Sequence, residues 1–182
     1  MPIKIFYGLG SVAPGALNSL AILAMFFFNQ VVGVPAAVVG AALAATLLTD
    51  AFADVFIGQA SDRTRTPWGR RHPFMLAALL LIPVAIYFRW RPPDDWAADA
   101  MFWYIFLTGV AVNVTFSIFE VPSNALGPEL ARDYHDRTVL VSYRWMFGAI
   151  AAAASTVLIY GVFLRATPEQ PVGQLNAAGY PP

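Results

Sequence analysis

Two aspartates, Asp50 and Asp54, stand four residues apart inside an otherwise apolar run, LAATLLTDAFADVF. On a helix that spacing puts both carboxylates on one face, about 6 Å apart. In a low dielectric, two such charges oppose each other's ionisation unless a proton or metal cation lies between them. The chemistry implied is cation binding. The hydroxyls of Thr46, Thr49 and Ser117 can supplement the pair with hard oxygen ligands of the kind Na+ takes. Two further charged residues interrupt apolar runs, Glu120 and Arg144. Arg144 is always protonated, so at membrane depth it needs a carboxylate, and Glu120 is its expected partner. Three acids against one base leave a surplus of about two negative charges, which makes a neutralising ion a condition of burial. A bidentate guanidinium beside a spare carboxylate oxygen also suits vicinal hydroxyl groups. The bland alternative is a structural polar knot, with Asn18 and Asn113 as interhelical glue.

Those residues must be held by membrane helices. Hydrophobic residues make up 58% of the 182 and charged ones 12%, against roughly 25% charged in soluble domains. A hydrocarbon core about 30 Å thick takes roughly 20 helical residues to cross. No charged residue occurs from Ile5 to Thr49, which suits two crossings broken at Gly33 and Pro35. The expected spans are about 5–31, 35–59, 73–89, 100–125 and 138–164, giving an all-α polytopic membrane protein. Lys4, Arg63, Arg65, Arg70, Arg71, Arg132 and Arg137 fall on one side, and Arg89, Arg91 and Arg165 on the other. The first side, with the amino terminus, is therefore expected to be cytoplasmic. The Pro- and Gly-rich segment 166–182 reads as an outer loop cut before a sixth span. A signal peptide fits poorly, because the apolar run is too long and further spans follow at once. Net charge is zero, so nothing points to nucleic acid. The absence of cysteine excludes disulfides, thiolate catalysis and Cys-type zinc sites.

Small residues mark helix contacts: Ala36 to Ala45 in the second span, Gly148 to Ala154 in the fifth. In lipid, close backbone packing drives association, and small side chains permit it. The loop GQASDRTRTPWGRR, Gly58 to Arg71, combines a small residue for close approach, Asp62 four residues on, and the basic residues Arg63, Arg70 and Arg71 around Gly69. A charge network there can hold one conformation closed and break in another, so it is a candidate gate; topogenic positive charge explains the arginines alone.

Gly-x-x-x-Asp-Arg followed by Gly-Arg-Arg between a second and a third span resembles the signature loop of the major facilitator superfamily. With DAFADVFIGQASDRTRTPWGRRHPF and FEVPSNALGPELARDYHDRTVLVSYRW, the chain is similar to the glycoside-pentoside-hexuronide:cation symporter family, from its first span through its fifth. The resemblance implies twelve helices in two six-helix halves with the solute between them, so the carboxy-terminal half of the same transporter would be a partner. It implies cation binding at Asp50, Asp54 and Ser117. Glu120 and Arg144 would line a sugar or glycoside site, with Asn124 and Asn18 as further candidates. Family members often carry an aromatic residue where this chain has Asn124, and an acid near the start of the first helix, where SVAPGALNSL has none. Ala53 stands where sodium-coupled relatives tend to have an amide, which favours H+ over Na+ as the coupling ion. No cofactor is expected, nor an enzyme: an embedded enzyme needs a nucleophile or metal centre that these spans do not suggest.

Overall fold

The computed structural model describes residues 2–93, 96–131 and 133–159, and every regular element among them is helical. In order these are α1 (Pro2–Leu9), α2 (Val12–Phe26) with a π-helical turn at Phe27–Val31, α3 (Ala36–Arg63), α4 (His72–Arg89), α5 (Ala98–Leu130) and α6 (Tyr134–Leu158). Among the described residues, four stretches are long and apolar enough to cross a bilayer: Lys4–Val31, Ala36–Arg63, His72–Arg89 and Asp99–Gly127. The helix of the expected fifth span, α6, is described only to its end near Ile159. The expected limit at Leu164 and the loop 166–182 lie outside the described residues.

Burial runs opposite to that of a water-soluble bundle. Leu47, Phe52, Phe56, Leu80 and Val157 are exposed, whereas Ala24, Ala42, Ala78, Ala85 and Ala151 are buried. Lipid is as apolar as leucine, so large side chains can face outward without cost. The inward faces instead need small residues that let backbones approach.

The helices break and continue for local reasons. The first apolar stretch bends at Gly10–Ser11, where the Ser11 N–H reaches back to the Gly8 carbonyl at 2.9 Å, a three-residue step that interrupts the four-residue ladder. After the π-helical turn, Gly33 takes a left-handed φ of 82°, which glycine adopts without steric cost. Asn29 Nδ2 donates to the Val34 carbonyl at 2.9 Å and closes that turn, and Pro35 stands as the N-cap of α3. The fully buried Pro122 does not stop α5. That helix runs further than the expected limit near 125, because packed membrane helices re-satisfy the backbone groups a proline frees.

By their internal contacts the described helices form two units, one of α1, α2 and α6, the other spanning Pro35–Glu129 with α3, α4 and α5. In the first unit contacts advance together along both partners, so α1 and α2 lie parallel to α6. Lys4 Nζ donates to Asp136 Oδ1 at 2.8 Å. Further along, Ser19 Oγ donates to the Ala152 carbonyl at 3.0 Å. Between them Gly15 and Gly148 cross so closely that a Cβ on Gly15 would collide with the Gly148 carbonyl. Glycine and a small residue recur four positions on in each helix, Gly15 with Ser19 and Gly148 with Ala152, the small-xxx-small device of membrane helix pairs.

The obstructing atoms at Gly15 are backbone and cannot rotate away. Gly15→Ala is therefore expected to destabilise the protein by about 1–3 kcal/mol. Gly40→Ala, on a helix position where an added Cβ meets nothing within 4 Å, should be neutral or slightly stabilising. Thermal melting of the detergent-solubilised variants, followed by size exclusion, checks this; equal melting temperatures for the two would contradict the close crossing.

The second unit repeats the parallel arrangement with α3 and α5. Thr46 meets Gly109, Asp50 meets Ser117, and Gly58 faces Val121. The far end of α4 is fastened to α5 where the Tyr104 hydroxyl donates to the Phe88 carbonyl.

Candidate functional site

The carboxylate pair sits in the second unit, midway along α3. Ser117 Oγ donates to Asp50 Oδ1 at 3.4 Å, joining residues 67 positions apart in sequence, and Ser117 is only 7% exposed. Asp54 follows one turn later, more exposed than Asp50. Both belong to the same uninterrupted helix, so the four-residue spacing places their carboxylates on one face. Thr46 and Thr49 each donate to their own helix, Thr46 Oγ1 to the Ala42 carbonyl at 2.9 Å and Thr49 Oγ1 to the Thr46 carbonyl at 2.7 Å. Donation uses the hydroxyl hydrogen and leaves oxygen lone pairs to accept. Glu120 and Asn124 lie further along α5, half-buried and exposed respectively.

Arg144 belongs to the first unit. It is 7% exposed, and its guanidinium carbon lies 5.0 Å from the centre of the Tyr7 ring. A cation over an aromatic face is electrostatically favourable, more so away from water. Arginine presents five N–H donors in a planar fork, and with an aromatic ring beside it forms a surface suited to a hydroxylated ring. Asn18 lies on α2 of the same unit and is exposed. Glu120 and Arg144, the expected ion pair, belong to different units.

A family profile described as MFS/sugar transport protein matches residues 6–180. The chain belongs to that family. A protein of Synechocystis sp. named an uncharacterized symporter is 34% identical over 97% of this chain and 33% of its own length. Two Escherichia coli proteins are each 28% identical. One, named a glucuronide carrier protein homolog, aligns over 91% of this chain and 36% of its own length. The other, named a putative glycoside/cation symporter, aligns over 90% and 35%. The chain thus spans about a third of the length of the curated relatives it matches. Membership of this transport family, and not any feature missing from the chain, sets the enzyme reading aside.

In this MFS chain the candidate gate has a definite form. Arg71 Nη2 lies 3.5 Å from Asp62 Oδ1, linking the end of α3 to the start of α4. Gly69, with φ of 93°, makes the turn between them, closed by the Thr66 hydroxyl donating to the Gly69 carbonyl at 2.5 Å. Gly58 faces α5 with Val121 Cγ1 at 3.6 Å from the place of a Cβ, an ordinary close contact. Arg63 and Arg70 are exposed. A second ionic contact, Lys4 to Asp136, had no local signal in the sequence. The Lys4 ammonium, by hydrogen bond and by charge, holds the Asp136 carboxyl below the usual carboxylate range.

Two residues change their standing. Arg89, placed by sequence at the end of the third span and on the outer side, is the last residue of α4 but is only 8% exposed. The reason is a slot in α5: a Cβ on Gly109 would stand 3.0 Å from Arg89 Nη1 and 2.8 Å from Thr46 Oγ1. A lone glycine in an apolar helix signals a close approach, but nothing in the sequence says which side chain approaches. Tyr7 is the other; it supplies an aromatic face beside Arg144, and only tertiary packing brings them together.

Proposed function

We propose that this chain is part of a cation-coupled secondary transporter that moves a sugar, glycoside or related polyhydroxylated solute by alternating access. The observation that carries the reading is the carboxylate pair Asp50 and Asp54 on a membrane helix, with Ser117 Oγ donating to Asp50 Oδ1. Ionisable groups at that depth usually mark ion or substrate paths. A cation or proton between the carboxylates removes surplus charge. That neutralisation is what lets the loaded site close and turn without carrying bare charge through a low dielectric. Coupling follows if solute binding and neutralisation favour the same closed state.

The coupling ion is a proton in this reading, since the position beside Asp54 is Ala53 and supplies no amide ligand; Na+ is the alternative. Arg144 is the principal solute ligand with Tyr7 as its aromatic wall, and Glu120, Asn124 and Asn18 are further contacts. The names of relatives, a glycoside/cation symporter and a glucuronide carrier homolog, support a glycoside-like solute. The protein lies in the inner (plasma) membrane with its amino terminus in the cytoplasm, by the distribution of lysine and arginine. Asp62, Arg63, Gly69, Arg70 and Arg71, with Gly58, form the cytoplasmic gate. The lipid bilayer and the second half of such a transporter are its partners, and it uses no cofactor beyond the ion.

The test is uptake by proteoliposomes containing the protein made from its full reading frame. Accumulation of a labelled glycoside above equilibrium, driven by an imposed pH or Na+ gradient, is the expected result. Equilibration without accumulation would leave a carrier or helper without ion coupling and overturn the proposal.

A further inference from the structure

The turn between α3 and α4 is built to hold a tryptophan outward. Pro67 has its φ fixed by its own ring, and Gly69 takes a left-handed φ of 93° that a residue with a Cβ resists. Thr66 closes the turn twice: its carbonyl accepts from the Gly69 N–H at 3.0 Å, and its hydroxyl donates to the Gly69 carbonyl. Trp68, between these residues, is 70% exposed. A slack loop could fold an indole away from water; a turn fixed on both sides of it cannot. The water–bilayer interface is where the apolar body and the polar tip of a tryptophan are both satisfied. The flanking helices face lipid, since Phe56 on α3 and Leu76 on α4 are exposed, each within about two helical turns of the loop. Trp68 therefore stands at the edge of the bilayer.

Positive charge surrounds it. From Val55 to Pro93 the sequence holds one acid, Asp62, and Arg71 Nη2 lies 3.5 Å from it. Arg63 and Arg65 before the tryptophan and Arg70 after it are exposed. Topogenic charge accounts for arginines in a short loop, but it requires no tryptophan fixed among them.

We propose that this turn is a docking site for anionic phospholipid: Trp68 enters the headgroup region, and Arg63, Arg65 and Arg70 take the phosphate groups of the leaflet on that side. The planar fork of arginine matches a phosphate with paired N–H donors. An excess of positive charge, with the neighbouring acid already facing Arg71, favours lipids of net negative charge over zwitterionic ones. That attraction fades within a Debye length, so it acts only on groups held at the headgroups. The fixed turn does that holding.

The experiment uses the protein from its full reading frame, reconstituted in vesicles of phosphatidylcholine and phosphatidylglycerol. The fluorescence of Trp68, taken as the difference between wild type and Trp68→Phe, is followed while one lipid or the other is exchanged for its counterpart brominated near the top of the acyl chains. The exchange leaves surface charge unchanged, so the two quenching curves give the lipid preference at the tryptophan. Phosphatidylglycerol should be preferred by about tenfold at low salt; Arg65→Gln should reduce the preference by about fivefold, and Arg65→Lys should leave it within about twofold of wild type. Raising NaCl to about 0.5 M should also shrink it, a measurement that needs no arginine variant and serves if Arg65→Gln does not fold. Equal quenching by the two lipids would make Trp68 a plain interfacial anchor and overturn the proposal. A preference unmoved by both salt and Arg65→Gln would overturn it too, as would fluorescence that neither lipid quenches.

Discussion

Asp54→Asn is expected to abolish gradient-driven accumulation while leaving solute exchange across the membrane within about fivefold of wild type, because removal of one intramembrane charge takes away the ion's ligand without removing solute contacts. Asparagine has the shape of a protonated aspartate, so the pair is left with one carboxylate, Asp50, and loses the like-charge repulsion that makes a shared ion a condition of burial. The carrier can then close without the coupling ion, loaded or unloaded with solute. Downhill movement survives and the link to the gradient is lost. Asp50→Asn should be more damaging, since Asp50 Oδ1 also accepts from Ser117 at 3.4 Å and the amide can offer an N–H where an oxygen is needed. Counterflow and gradient-driven uptake measured in the same vesicles distinguish these outcomes. Accumulation by Asp54→Asn equal to wild type would make the pair a structural contact and remove the basis for coupling at this position.

How much of this could be read before any coordinates depends on where each cause lies. The all-helical membrane class follows from one local fact, the absence of charge from Ile5 to Thr49, and the family from the pattern around Asp50, Asp62 and Arg71. The spacing of Asp50 and Asp54 is also local, because helix geometry alone places them together. Ser117 is a candidate ligand by its hydroxyl and again by the family resemblance, but its contact with Asp50 depends on the parallel course of α3 and α5, which no spacing along the chain fixes. Arg89 illustrates the opposite case. At the end of the expected third span, before Arg91 and a pair of prolines, it has the marks of a charge that reaches outward to water. Its inward course depends on Gly109 and on the Tyr104 hydroxyl, which come well after it in the chain and neither of which announces a partner. Tyr7 against Arg144, and Lys4 against Asp136, are likewise products of α1 and α6 running side by side. The bend at Gly10–Ser11 shows in sequence only as one more glycine in an apolar run.

The unit holding Arg144 yields the other large effect. Arg144→Ala is expected to weaken solute binding by about 100-fold, the loss of a charge-assisted, two-pronged hydrogen bond worth about 2–3 kcal/mol. The arginine is 7% exposed and stacked on Tyr7 at 5.0 Å, so two accounts compete: a solute ligand backed by an aromatic wall, or a polar pin holding α1 against α6. Arg144→Lys separates them. Lysine keeps the charge and most of the length but offers a point charge in place of a planar fork. A pin would be largely restored by it, with near-normal melting and near-normal affinity. A solute ligand would recover folding and little affinity. Tyr7→Phe adds the control that removes only the hydroxyl: the ring face remains for both the guanidinium and the solute, so affinity should change by no more than about threefold if the ring is what matters. Solute affinity measured by equilibrium binding, beside the melting temperature of each variant, decides the matter. If Arg144→Ala melts early yet binds within a few-fold of wild type, the residue is a pin and the solute site must be sought elsewhere. If it melts normally and fails to bind, the buried charge beside Tyr7 is retained for the solute, which explains why the first helix keeps a tyrosine there despite carrying no acid of its own.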